Sequence, residues 1–251
     1  MIASASAEQN GCLRVRALLA LATTAVFLVG CHPQDSCRSC GRALPYRQLE
    51  RLYSDDFSSD WSHWIAEGGQ PILTGGEMEL DTSGGSTVWF RPELVGNVLI
   101  EYDVTVLRMG GPNDRLSDLD CFWMATDPAH PNDLFAARLQ RQGIAGGDRN
   151  LSLYHASYGG NTNTTTRFYR CEGGQCDLLR ESTDPAHLLI PNHTYHIQLV
   201  ACDGVVEYYR DGERLFRYTD PNPYQRGHFG LHTVENHLSM DNFRVVRIEP
   251  R

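Results

Sequence analysis

Short runs in which apolar and polar residues alternate recur along the chain: Val98 to Leu107, Leu151 to Tyr158, Thr165 to Arg170, Tyr195 to Ala201, Val205 to Tyr209, Leu215 to Thr219, His228 to Val234 and Asn242 to Ile248. A period of two sends successive side chains to opposite faces of a strand, and no stretch carries the 3.6-residue period of a long helix. Asp203-Gly204 and Asp211-Gly212 each stand between two such runs, where a two-residue loop supplies the positive φ angles of a tight hairpin. Many strands joined in this way predict an all-β sandwich of two antiparallel sheets, a jelly roll. The roughly 200 residues after Leu49 suffice for one such domain.

The ends of the chain say where it works. Arg14 and Arg16 precede an apolar run from Ala17 to Val29 that closes in Leu28-Val29-Gly30-Cys31, too short for a comfortable membrane span. This ending resembles the lipobox of bacterial lipoproteins. The resemblance implies a signal peptide over residues 1–30, acylation of Cys31, a tether over 31–50, the jelly-roll domain over 51–251, and a place in the cell envelope, at the periplasmic or surface face of the outer membrane.

Composition removes several functions. The 22 basic and 31 acidic residues leave a net charge of −9, which makes nucleic acid a poor partner. Every basic residue is arginine, so Schiff-base chemistry and a lysine base are excluded. Cys171-Glu172-Gly173-Gly174-Gln175-Cys176 reads as a hairpin closed by its own disulfide. Cys37 and Cys40 pair locally or hold zinc, and Cys121 with Cys202 is what remains, although six cysteines allow fifteen connectivities.

Asp55-Asp56-Phe57, Trp61, Trp64, Gly68, Gly75-Gly76 and Met78-Glu79-Leu80 resemble the opening of concanavalin A-like domains. Asp241-Asn242-Phe243-Arg244-Val245 resembles their closing strand, which pairs beside the first. Three further segments are similar to the YesU-like bacterial family of pectin and rhamnogalacturonan utilisation: Tyr158 to Arg170, Leu188 to Tyr195, and Gly227 to Thr233. That resemblance implies handling of acidic polysaccharide, with an arginine in the family where His232 stands here.

Within Tyr158 to Arg170, a Gly-Gly bend leads into Asn161-Thr162-Asn163-Thr164-Thr165-Thr166 and then Arg167 and Arg170. Amides and hydroxyls offer donors and acceptors, and arginine a planar fork for carboxylates. A hydroxyl-rich, acidic ligand is expected. Alternation in Leu151 to Tyr158 puts Tyr154 and Tyr158 on the expected groove face and His155 on the core side. Arg138 and Gln140 flank Leu139 as groove residues, unless the segment is a short helix from Asp133 onwards. His228 and His232 share one face of their strand and suit proton transfer near neutral pH. Asp118 and Asp120 offer hard oxygen ligands for a structural calcium, without the spacing of a calcium loop; no cofactor is required.

Hydrolysis by two carboxylates lacks support. Glu101-Tyr102-Asp103 begins a glucanase-like pattern whose third carboxylate is missing, leaving Glu207 and Glu235 unpaired. β-Elimination from a uronic acid matches the residues better. Arg167, Arg138 and Asn161 are expected to neutralise the sugar carboxylate, and His232, His228, Tyr158 and Tyr154 to move protons, with Gln140, Thr166 and Arg170 as further substrate contacts. The expectation is therefore a polysaccharide lyase, with a non-catalytic carbohydrate-binding protein or a glycoside hydrolase as alternatives.

Overall fold

The computed structural model describes residues 44–141, 143 and 150–251. The expected signal peptide, the acylated Cys31 and the Cys37/Cys40 pair lie outside the described residues. The strands are β1 (Tyr46–Asp55), β2 (Trp64–Gly68), β3 (Ile72–Thr74), β4 (Glu77–Phe90), β5 (Leu94–Val95), β6 (Val98–Val106), β7 (Leu119–Thr126), β8 (Ser152–Gly159), β9 (Thr165–Glu172), β10 (Gln175–Ser182), β11 (Thr194–Cys202), β12 (Val205–Arg210), β13 (Glu213–Thr219) and β14 (Arg226–Pro250). Strand β1 begins inside the segment expected to be a tether.

Hydrogen bonding follows the order β10-β9-β8-β7-β14-β6-β11-β12-β13, and the path folds over at β14 into two layers. The first half of β14 pairs with β7 and with the second half of β4; its second half pairs with β6 and the first half of β4. Glu235, with φ 49°, interrupts the register between the halves. We call the layer holding β7 to β10 sheet 1, and the layer holding β6 and β11 to β13 sheet 2.

The predicted turns form for the predicted reason. Asp203 and Gly204 have φ of 47° and 78°, and Asp211 and Gly212 of 51° and 79°, so both positions of each two-residue loop take the left-handed geometry that a tight hairpin requires.

The opening and closing motifs meet as expected: Asp55 sits opposite Phe243 in the β1/β14 ladder. Asp55 accepts the Phe57 backbone N–H at 2.9 Å and the Trp64 indole N–H at 2.8 Å. That pins Trp64 against Phe243 and Phe90, with ring centroids 4.8 and 5.2 Å away. The main core lies between the sheets, where Tyr102 meets Phe229 and Phe168 meets Phe216 across the gap.

Cys171 and Cys176 are bonded across the β9/β10 hairpin. The pairing of Cys121 with Cys202 does not form: both are free and buried. Cys121 points into the inter-sheet core, whereas Cys202 belongs to the cluster on the outer side of sheet 2. Residue-resolved alkylation should therefore leave both thiols unmodified in the native chain and label both in denaturant. Rapid native labelling of either, or a peptide joining them, contradicts this placement. Breaking the Cys171–Cys176 bond should cost about 2 kcal/mol or less, because so short a loop restrains little chain entropy.

On the outer face of sheet 2, carboxylates are saturated with donors. Glu207, fully buried, accepts Tyr46 and Tyr209 hydroxyls at 2.8 Å each and Arg214 and Arg217 at 2.9 and 2.8 Å. Glu101 accepts Gln198 and Arg244, each at 2.6 Å. These bonds saturate Glu207, one of the two carboxylates left as unpaired candidates, and also tie up Glu101. His196 lies 2.8 Å from Asp103 and 3.6 Å from Glu101, and these two carboxylates raise it to about 9. A folded-state value above the unfolded one stabilises fully below about pH 6.5 and is lost as pH rises through about 9. His196→Gln should therefore melt below the parent at pH 6 and converge with it by about pH 10. A melting difference independent of pH would show that the imidazolium contributes nothing.

Candidate functional site

Strand register builds the site on the outer face of sheet 1. Thr87, His232, Asp120, Ser157, Arg167 and Glu181 stand opposite one another in turn across β4, β14, β7, β8, β9 and β10. Two residues along each strand, Trp89, Gly230, Phe122, His155 and Tyr169 form a second row parallel to the first. One row is polar and the other mostly aromatic because both obey the same two-residue period. Gly230 is needed in the second row, since a Cβ there would come within 2.6 Å of the Trp89 ring.

The imidazole of His155 is the best-placed base. Its Nε2 donates to Asp120 Oδ2 at 3.1 Å, which holds the proton on Nε2 and leaves Nδ1 as the acceptor in the neutral ring. The ring stacks on Tyr169 at 5.2 Å and meets the Phe122 edge at 4.9 Å. The other carboxylate oxygen of Asp120, Oδ1, is buried and has no hydrogen-bond partner among the described residues. Arg167 Nε donates to Glu181 at 2.6 Å, with both side chains about a third exposed.

His232 lies in the polar row, stacked on Phe122, with Nδ1 2.8 Å from the Thr87 hydroxyl. Burial first, then neighbouring His155, lowers it to about 4 against the opposing pull of Asp120, so the ring is neutral at pH 7. His228 shares this face four residues away, about 13 Å along an extended strand. It lies in a separate cleft at the strand ends, packed edge-on to Phe135.

Several expected site residues are elsewhere. Tyr154 and Tyr158 are fully buried in the inter-sheet core, the reverse of the expected facing, and His155 is the one turned outward. The apolar members Leu151 and Leu153 do not mark the main core: they belong to a smaller cluster on the outer face, with Leu134, Phe122 and Trp89. Tyr154 donates to Asp220 at 2.7 Å and Tyr158 to the Leu188 carbonyl at 3.0 Å. Burial is the main cause raising both phenols above their ordinary range, so neither serves as a base.

Arg170 faces the same side as Tyr154. It donates to Asp220 at 2.8 Å, and its guanidinium lies over the Tyr224 ring. Thr166 is buried and donates to the His187 carbonyl at 2.6 Å. Asn161, Thr162 and Asn163 form an exposed left-handed turn with φ of 54°, 60° and 56°. The Asn163 amide ties that turn to both backbone groups of Leu189, at 2.8 and 3.0 Å. The Asn/Thr segment is thus a self-bonded turn, with Asn161 spent on Thr164.

Arg138 and Gln140 are exposed on a one-turn helix, α1 (Arg138–Arg141), the alternative left open for that segment. In the same helix Arg141 is buried, bonded to Glu67 and to the Leu134 carbonyl. Asp118 is engaged by Arg115, and burial, then the charge of Asp120, raises its carboxyl. With Asp120 committed to His155, the expected calcium ligands do not assemble. No group of three metal-ligating side chains exists among the described residues.

A two-layer antiparallel sandwich with a polar and an aromatic row across one outer face defines the class: a galectin-like or concanavalin A-like β-sandwich. A family model described as "Domain of unknown function (DUF6250)" matches residues 80–243, and the chain belongs to that family. No curated protein sequence matches significantly.

Three solved structures share the fold. A Bacillus subtilis protein of unknown function with galectin-like fold superposes with a TM-score of 0.68 at 17% identity, covering 82% of this chain and 100% of its own. The carbohydrate-binding module CBM66 from Bacillus subtilis gives 0.52 at 16% identity, covering 74% and 97%. An endo-β-1,3-glucanase from Pyrococcus furiosus gives 0.57 at 11% identity, covering 82% and 96%.

The two arginines of β9 separate structure from site. Arg170→Ala should lower stability by about 3 kcal/mol, because it strips a buried carboxylate of its cation. Arg167→Ala should cost under about 1 kcal/mol, the usual worth of an exposed pair. Denaturant unfolding reads both, and equal losses would remove the distinction.

Proposed function

We propose that the protein acts on carbohydrate at the outer face of sheet 1, and that it is a lyase cleaving uronic-acid-containing polysaccharide. The observation that carries this reading is the Asp120–His155 pair beside Tyr169, one strand from Arg167. A sugar ring offers an apolar C–H face to the part-exposed Tyr169 and His155 rings and polar groups to Arg167. Solved relatives of the fold include a carbohydrate-binding module and a glucanase, which supports the ligand class and leaves the reaction to the residues.

In the proposed step the Arg167 fork receives the uronate carboxylate. One of its donors goes to Glu181 and another contact is to the Tyr169 side chain, so the remaining terminal donors meet the ligand. Neutralising the carboxylate acidifies the neighbouring C–H. His155 Nδ1 takes that proton while Asp120 stabilises the imidazolium; the C–O bond breaks, the departing oxygen takes the Tyr169 proton, and a C=C bond remains. His155 thus takes the role expected of His232, and Tyr169 that expected of Tyr158. Export through the segment ending at Gly30, with a lipid on Cys31, would bring this site to polymer outside the cytoplasm.

Incubating the chain with pectic, algal and glycosaminoglycan polymers should yield unsaturated product absorbing in the ultraviolet. His155→Ala should slow its formation about a hundredfold or more, and Arg167→Ala should cost about 2 kcal/mol of transition-state binding. New reducing ends without absorbance would replace elimination with hydrolysis. Binding without either signal would leave a carbohydrate-binding protein.

A further inference from the structure

The cleft around His228 is away from the sheet-face rows. It encloses about 320 Å³ at the end of sheet 1 where β4 and β7 finish and β14 begins, with Arg91, Asp127, Phe135, Arg226 and His228 on its walls. That volume is at the lower end of the range for small-molecule sites. A second hollow of about 350 Å³, reaching Tyr224, shares Thr126, Asp127, Pro131 and Arg226 with it. Arg226 spans the junction, donating to Glu93 at 3.0 Å and to the Pro131 carbonyl at 2.8 Å.

The charges of the cleft are unequally satisfied. Glu93 is paired with Arg226. Asp127 accepts the Ala129 N–H at 2.8 Å and lies 3.0 Å from His130, while Asp133 accepts the Phe135 N–H at 2.9 Å. Arg91 is exposed and has no ion pair among the described residues. His228 Nδ1 donates to the Phe90 carbonyl at 3.3 Å, which leaves Nε2 to accept in the neutral tautomer. The Phe135 ring meets His228 edge-on at 5.0 Å and gives the cleft an apolar wall.

We propose that this cleft is a second ligand site, distinct from the sheet-face rows, that takes a single sugar acid: Arg91 receives the carboxylate, His228 accepts from a hydroxyl, and Phe135 packs the C–H face. The ligand class rests on the acidic-saccharide reading above; the location rests on the cleft alone. Arg91 is the guanidinium of the cleft with no ion pair among the described residues and so the one that can take a carboxylate, while the wall carboxylates Glu93, Asp127 and Asp133 repel a bare anion and accept from hydroxyls.

The test is calorimetric titration of the full chain with sodium D-glucuronate, with D-glucose and sodium sulfate as controls. Glucuronate should bind more tightly than either control. Arg91→Ala should weaken it about tenfold or more, as expected for a lost charge-assisted pair, without lowering Tm, and His228→Gln should weaken it less. Arg167→Ala, on the sheet face, should leave the Arg91-dependent part of this binding in place. No glucuronate binding, equal binding of glucose or sulfate, or an Arg91→Ala variant that binds like the parent would each overturn the proposal.

The two readings fail separately. Polymer turnover that depends on His155, combined with glucuronate binding indifferent to Arg91, sinks the cleft and keeps the lyase. Binding that depends on Arg91 without polymer turnover does the reverse.

Discussion

The structure hangs on one continuous strand. β14 runs from Arg226 to Pro250 through both sheets and is paired with β4 along both halves. Its bend at Glu235 lets Phe229 and Leu231 from one half and Phe243 and Val245 from the other enter the same core. The parity that faces inward changes at Glu235 and changes back at Asn242, with φ 53°, so that Leu238 and Met240 share the core with them while His228 and His232 stand outward on sheet 1 and Arg244 on sheet 2. A slip of one residue on either side of Glu235 would bury the charged set and expose the phenylalanines. The two bulges together therefore fix what stands on each outer face.

The two outer faces differ in how completely they satisfy their polar groups. On sheet 2, Glu207 has four donors and Glu101 two hydrogen bonds plus nearby His196. Such a closed network holds one geometry and offers a ligand little. On sheet 1, Asp120 keeps a buried oxygen without a partner among the described residues, an omission that costs on the order of 1–3 kcal/mol. Unmet polar groups of this kind are characteristic of sites that complete themselves with a ligand.

Alternation made the sheets readable, and its ambiguity explains what was not. The Asp-Gly hairpins, the β1/β14 pairing and the Cys171–Cys176 hairpin follow from local chemistry and are all present. β7 escaped notice because Leu119 to Ala125 is buried throughout; a strand covered on both faces loses its alternation, and with it the signal for Asp120. In β8 the period was right and the facing wrong. Leu153 and Tyr154 are both buried, one under the segment holding Leu134 and the other between the sheets. Only the tertiary cover on sheet 1 decides which is which. The pairing of Asp120 with His155, 35 residues apart in sequence, likewise needs the sheet register.

Arg167 and Arg170 show how much one strand's pleat can decide. Three positions apart, they point to opposite faces, and each is bonded to a carboxylate. The Arg170 partner, Asp220, is 1% exposed and also held by Tyr154 and the Asn222 N–H. Separating that pair would leave a desolvated charge, so no ligand can compete for it. The Arg167 and Glu181 side chains are 34% and 38% exposed, and a pair so open to water is worth about 1 kcal/mol or less. A ligand carboxylate can take the place of Glu181 for little energy, and water then screens the displaced glutamate. The same residue type, in the same ion-pair chemistry, is locked on the core side of β9 and exchangeable on the outer side. That difference leaves the outer face, with His155 and Tyr169 already stacked there, holding an arginine able to change partners.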